Sequence, residues 1–345
     1  MQQNSNQRIL YLDLLRLVAT FAVILLHVAA SEFLTFSHGE NWCVATVYES
    51  IVRWCVPVFV MISGVLFLNP NKEITCQDIL KKRVPRLLLA YVFWTVLYVL
   101  YSFVLAGFEG FTLKHLIRRS IADPCVHLWF LPMLIGVYLL IPILRKIAQD
   151  YKLMCYALIV WIIYISVGFL QFVDYFKLVK HFYSLFTPNS VVGYSGYFLL
   201  GYFVSMHNFT KKQSVLVYLL GLAGALVTIL GTYFISVSKG EANGQFFNNF
   251  SVHVVAMAMA VFVMVMQQAP KYGKLVSKFV SLVRKDLFGI YLIHMLWINV
   301  VNIEVIRRCC SEIVTLPLIA IIVFVLSLFT TKLIRLVPIL RKVVG

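Results

Sequence analysis

Apolar runs long enough to cross a bilayer, about 17 to 25 residues each, recur along the whole chain with only short polar loops between them. Ten spans are expected, at about 9–30, 44–68, 84–106, 127–144, 153–170, 191–206, 214–236, 247–267, 286–303 and 312–334. Lipid offers no hydrogen bonds to the backbone, so only helices and closed barrels can span it. The runs lack the roughly ten-residue alternation of barrel strands, which makes this an all-α, polytopic helical membrane bundle. Composition agrees, with 61% hydrophobic and 13% charged residues.

The net charge of +16 raises nucleic acid as a partner, but the placement of that charge argues against it. With the N-terminus inside, the inner loops and tails hold about 20 Lys and Arg and the outer loops about 8. This asymmetry puts both termini in the cytoplasm of a multi-pass membrane protein. The sequence HVAAS at 27–31 resembles a signal-peptidase site, yet the run before it contains Asp13 and Arg16, so a retained first span is expected. Seven cysteines show no C-x-x-C pair and no zinc spacing, so free structural thiols and no metal are expected. No linker or internal repeat divides the chain, and one membrane domain over 1–345 is the simplest account. On the outer side, TLKHLIRRSI (112–121) reads as a short interfacial helix and 171–190 as a partial lid.

The first span carries Asp13, Arg16 and His27. A charge at the centre of a membrane helix costs about 2.5–3.5 kcal/mol on insertion scales and normally serves a purpose. Arg16 and His27 return to nearly the same helix face, roughly 16 Å apart along the axis. Asp13 neutralises Arg16 as an i,i+3 pair. The alternative is a purely structural Asp13–Arg16 pair with His27 reaching only to the interface. Glu49 and Arg53 in the second span lie at the depth of His27, so Glu49 either orients that imidazole or simply pairs with Arg53. In the same span Ser63 and Gly64 allow close backbone approach, and Ser63 serves packing as readily as chemistry.

Lys82, Arg83 and Arg86 sit where the third span leaves the inner loop and could clamp phosphates, although topology alone also places basic residues there. His127 and Trp129 open the fourth span beside the outer rim; Trp is a common interface anchor. Tyr291 and His294 share a face of the ninth span, roughly level with Arg16. Together these residues outline a path through the bundle.

They also resemble, in order and in topology, the membrane-bound acyltransferase-3 family. The resemblance rests on Leu12–Asp13, R-x(10)-H as Arg16…His27, the F-x-x-SG element as Phe59–Gly64 with one extra residue, R-x-x-R as Arg83–Arg86, HLWFL at His127–Leu131 and YLIH at Tyr291–His294. It covers residues 12 to 294 and reads as the stand-alone form without a hydrolase-like extracytoplasmic domain. It implies an acyl-CoA-dependent O-acyltransferase that moves acetyl from cytoplasmic acetyl-CoA to a hydroxyl of a cell-surface polysaccharide or lipid-linked saccharide, modifying the cell envelope. No permanently bound cofactor is expected, and membrane lipids and a homo-oligomer are possible partners. In those terms His27 is the general base, with Glu49 its partner by depth. The donor side is Arg16, Lys82, Arg83, Arg86, Tyr291 and His294, and the acceptor side is Arg53, Ser63, His127 and Trp129. The competing class is a transporter or exporter of a small polar solute built on the same bundle.

Overall fold

The computed structural model describes residues 2–37, 39–109, 111–122, 125–170, 190–301, 306 and 310–345, with the side chains of 2–9, 122, 167–170 and 190 left aside. The segment expected to form a lid, 171–190, lies almost wholly outside the described residues, as do His38, Lys177, Lys180, His181, Arg307, Arg308 and Cys309. Among the described residues the fold is all-helical, without a strand. The helices are α1 Gln2–Phe33, α2 Glu40–Ile51, α3 Cys55–Phe67, α4 Cys76–Asp78, α5 Val84–Leu105, α6 Leu113–Ala122, α7 Phe130–Leu139, α8 Ile141–Gln149 and α9 Tyr151–Leu170. They continue as α10 Ser190–Met206, α11 Lys211–Lys239, α12 Val252–Gln268, α13 Lys274–Val283, α14 Leu287–Val300, α15 Glu312–Leu336 and α16 Arg341–Val344.

Six helices or continuous helix pairs are long and apolar enough to cross a membrane, and α7 with α8 makes a seventh if the bent pair is one span. The other three expected spans correspond to shorter apolar helices, Tyr151–Ser166, Val191–Met206 and Leu287–Val300. Two expected spans are interrupted. Residues 52–54 interrupt the second between α2 and α3, and α7 meets α8 at 57°. The α7–α8 bend has a chemical cause, since Pro142 in the first turn of α8 cannot donate to the preceding turn and disfavours helix just before it. The interfacial piece expected at 112–121 forms α6, where Arg119 lies over the Phe103 ring at 5.3 Å. The six described cysteines form no disulfide.

Helix α1 is the central element, packed against α2, α3, α12, α13, α14 and α15. Its buried side includes Leu15, Ala19, Ile24 and Val28. Outward faces stay apolar instead of turning polar: α11 exposes Leu216, Leu219, Leu220, Leu226 and Leu230, as suits a helix whose solvent is lipid. The tightest contact is between α3 and α10. A Cβ on Gly64 would meet Phe198 O at 1.8 Å, and one on Gly201 would meet Met61 O at 2.2 Å. Two glycines thus let the backbones touch, the use small residues have between membrane helices.

One end of the bundle is basic. It carries the inward half of α1, the loop from Leu68 to Arg83, the turn from Arg284 to Asp286, and α16. The opposite end closes with an aromatic cluster in which Phe33, Trp42 and Phe247 are buried together, and Trp42 donates its indole N–H to Phe33 O at 2.9 Å.

Candidate functional site

A cavity of about 700 Å³ opens at the basic end, within the usual size of a ligand pocket. Its mouth holds Arg16, Lys72, Arg83 and Arg86. Its walls are largely apolar, from Phe59, Ile62, Leu66, Leu87 and Leu134, with Ser63, Tyr138 and Tyr291 as polar points. Five donor- or acceptor-side residues singled out in the sequence therefore meet here: Arg16, Ser63, Arg83, Arg86 and Tyr291.

Local structure explains how each cation is aimed. In α1, Arg16 donates to Asp13 Oδ1 at 2.9 Å, while Arg284 reaches the other oxygen at 3.4 Å. Side chains on a helix lean toward its N-terminus, so Arg16 is drawn to the basic end and away from His27. Ile79–Arg83 winds as one π-helical turn before Pro85 starts α5. Such a turn accommodates an extra residue per turn; here it accompanies Arg83 and Arg86 both facing the cavity, with Arg83 over the Phe67 ring at 5.7 Å. Lys82 points elsewhere, exposed and paired with Asp78 at 2.6 Å.

Sequence reading missed the residue that shapes the mouth. Arg145, on α8, donates to Phe67 O at 2.6 Å, Asn69 O at 3.3 Å and Lys72 O at 2.8 Å. It satisfies carbonyls at the C-terminus of α3, where a cation is favoured, and fixes the loop carrying Lys72 and Glu73 to the cavity. Its only sequence signal was a basic residue beyond an apolar run, which topology explains equally well. Arg284 was hidden in the same way.

Beyond the cavity lie three imidazoles. The ring of His294 stands 5.3 Å from that of His27 and 4.9 Å from that of His127, and His27 and His127 are 6.5 Å apart. The expected depth of His294 is thereby corrected. It lies beside His27 instead of level with Arg16, because α14 begins at Leu287 on the cavity wall and seven residues of helix advance about 10 Å. Tyr291 joins the two regions, lining the cavity while its ring lies 5.6 Å from His127 and 5.9 Å from His294. Phe59, Phe130 and Tyr291 contact one another at 5.7 to 6.4 Å and make an aromatic layer between cavity and imidazoles.

Hydrogen bonds fix two of the rings. His294 Nδ1 faces Tyr291 O at 2.6 Å, and His127 Nε2 faces Leu292 O at 3.2 Å. A carbonyl only accepts, so those nitrogens carry the hydrogens and the opposite ones, His294 Nε2 and His127 Nδ1, hold lone pairs. Both opposite nitrogens are buried without a hydrogen-bond partner. An unpaired buried polar atom costs about 1–3 kcal/mol, so two such atoms in one cluster mark a functional candidate. Tyr98 and Tyr291 complete the frame, donating to Leu292 O at 2.7 Å and to His127 O.

Glu49, Arg53 and Trp129 have their contacts with other groups. Glu49 is buried and bonded to Arg53, and the Arg53 guanidinium also lies 3.7 Å above the Phe247 ring. Of the two readings open for Glu49, the ion pair is the one formed, and its Oε2 has no partner. Trp129 is exposed, with its ring 5.8 Å from that of Tyr194. No group of three or more His, Cys, Asp or Glu among the described residues is arranged to hold a metal ion.

A family model described as an acyltransferase domain matches residues 9–334, nearly the whole chain. No curated protein and no solved structure matches it.

Proposed function

Because the chain belongs to the acyltransferase-3 family of membrane acyltransferases, we propose that it is an O-acyltransferase that takes acetyl from acetyl-CoA on the cytoplasmic side and delivers it to a hydroxyl of an envelope saccharide on the other. The observation that carries this reading is the alignment of a basic-mouthed, apolar-walled cavity with three clustered imidazoles, joined through Tyr291. Arginines suit phosphate, apolar walls suit the acyl-bearing arm, and an imidazole with a free nitrogen suits proton abstraction from a hydroxyl.

In the reaction, the acceptor hydroxyl gives its proton to an imidazole of the cluster as its oxygen attacks the thioester carbonyl. The C–S bond breaks as the new C–O ester bond is completed, and the leaving thiolate takes a proton back to become CoA–SH. His27 is the base in contact with the acceptor. His294 and His127, with their tautomers held by α14, receive and return the proton. A thioester is already activated, so positioning and a base supply what is missing. His294 thus moves from the donor-binding role first assigned to it into the proton path.

Acetyl-CoA turnover by purified protein with an oligosaccharide acceptor tests the reading. His27→Ala is expected to lower kcat by at least about 100-fold, the usual worth of a positioned base. Unchanged turnover in that variant removes His27 from the chemistry. Solute flux in proteoliposomes without any dependence on CoA would replace the enzyme with a transporter.

A further inference from the structure

A second cleft, of about 760 Å³, adjoins the main cavity, and Arg86 borders both. Lys81, Arg86, Arg341 and Lys342 stand around it, and none of its lining side chains is acidic. Four other cations at this end do have carboxylate partners: Lys82 on Asp78, Arg16 and Arg284 on Asp13, and Arg335 on Asp286 at 2.6 Å. Among the described residues, none of the four around the cleft forms an ion pair with a carboxylate side chain.

These four cations come from segments far apart in the chain, and both segments are held in place. Lys81 belongs to the π-helical turn leading into α5. Arg341 and Lys342 begin α16, which is fastened to α5: Trp94 donates its indole N–H to Val343 O at 2.9 Å, and Val343 and Val344 are buried. Orienting a chain in the membrane requires only that positive charge lie on one side. It does not require four cations to converge on one concavity, lined also by Gly345, that has no acidic side chain and shares an arginine with the neighbouring cavity.

We propose that this cleft binds the phosphates of a nucleotide, so that the donor lies across both spaces, with its nucleotide end in the cleft, Arg86 at the join and its acyl-bearing arm in the apolar cavity. The proposal rests on the acyl-CoA-dependent reading. It assigns Lys81, Arg341 and Lys342 to the donor site and takes Lys82 out of it. An adenosine bisphosphate with a diphosphate bridge carries several negative charges, matching convergent Arg and Lys side chains better than it matches the cavity walls. A lipid phosphate has the same chemistry, so the test separates the two.

The test uses the full chain in detergent with Arg341→Ala and Lys342→Ala combined; both side chains are exposed, so the melting temperature should hold. Affinity for adenosine 3′,5′-bisphosphate is expected to fall at least about tenfold, about 1.4 kcal/mol, and the KM for acetyl-CoA to rise alongside it, with a smaller loss for S-acetylpantetheine. The charge-keeping Arg341→Lys with Lys342→Arg should retain most of the affinity. Equal bisphosphate affinity in the alanine variant and the wild type overturns the placement while leaving acyl transfer standing. Loss of phosphatidylglycerol binding with bisphosphate affinity intact also overturns it, in favour of lipid. A wild-type protein that neither binds the bisphosphate nor turns over acetyl-CoA defeats the donor reading itself.

Discussion

His127 and His294 hydrogen-bond to neighbouring carbonyls of one helix, Leu292 O and Tyr291 O, and present opposite faces of the imidazole in doing so. His127 keeps Nδ1 free and His294 keeps Nε2 free. Their rings are 4.9 Å apart with His27 beside them. One short stretch of backbone therefore sets the tautomers of two of the three rings.

Replacing His294 tests that arrangement. His294→Gln, which keeps a hydrogen-bonding group but not a titratable one, is expected to lower kcat for acetyl-CoA by about 100-fold with KM within a few-fold. The pH–rate profile should lose one limb. A large KM effect at constant kcat would return His294 to donor binding.

Asp13 is expected to act through Arg16. Asp13→Asn keeps the shape of the side chain but removes the charge that Arg16 and Arg284 share. A rise of roughly tenfold in KM, about 1.4 kcal/mol, should exceed any change in kcat. Arg284→Ala should reproduce part of it, because only one of the two oxygens loses its partner.

Gly64 and Ser63 separate packing from chemistry within one motif. Gly64→Ala would place a methyl 1.8 Å from Phe198 O, where backbone has to shift. Overpacking of this kind costs about 1–3 kcal/mol or more, and loss of folded protein by thermal unfolding in detergent is the expected result. Ser63→Ala removes a cavity hydroxyl that donates to Phe59 O at 3.1 Å and also meets the Tyr138 hydroxyl. It should fold normally and change kcat less than tenfold.

Glu49→Ala strands the Arg53 guanidinium in a buried site. Breaking such a pair costs about 3–5 kcal/mol, to be read as a lowered unfolding midpoint. The enzyme that remains folded is expected to keep its pH–rate profile. A displaced profile would tie Glu49 to His27 after all.

Arg145→Ala should release the loop it anchors. Hydrogen exchange at residues 69 to 74 is expected to rise while α7 stays protected, with weaker acetyl-CoA binding, since Lys72 and Glu73 line the cavity.

Helical periodicity pointed to Arg16 and His27 on one face of α1, and length with apolarity was enough to find the helices. Tertiary approach was not legible. That His294 meets His27 depends on where α14 starts relative to the membrane, and an apolar run at 286–303 does not mark that point. Pro57 marked a kink in the second span, and the break at 52–54 falls just before it, where Pro57 has no N–H to give to Arg53 O; the bend at α7–α8 has its mark in Pro142, within what was expected as one span at 127–144. The basic residues were the hardest to sort. Topology accounts for every inward Lys and Arg equally, so Arg83 at the cavity, Lys82 on Asp78 and Arg145 on three carbonyls look alike until packing distinguishes them.

The layer of Phe59, Phe130 and Tyr291 also has an electrical consequence. In an energised membrane with water on both sides of it, most of the voltage drops across those few ångströms, at about 2.3 kcal/mol per charge for each 100 mV. A thiolate or an acetate ion crossing there would do that work, whereas an acetyl group passed on as an uncharged ester does none. Under the proposed transfer, the bundle would pass acyl groups outward without drawing on, or short-circuiting, the cell's ion gradients.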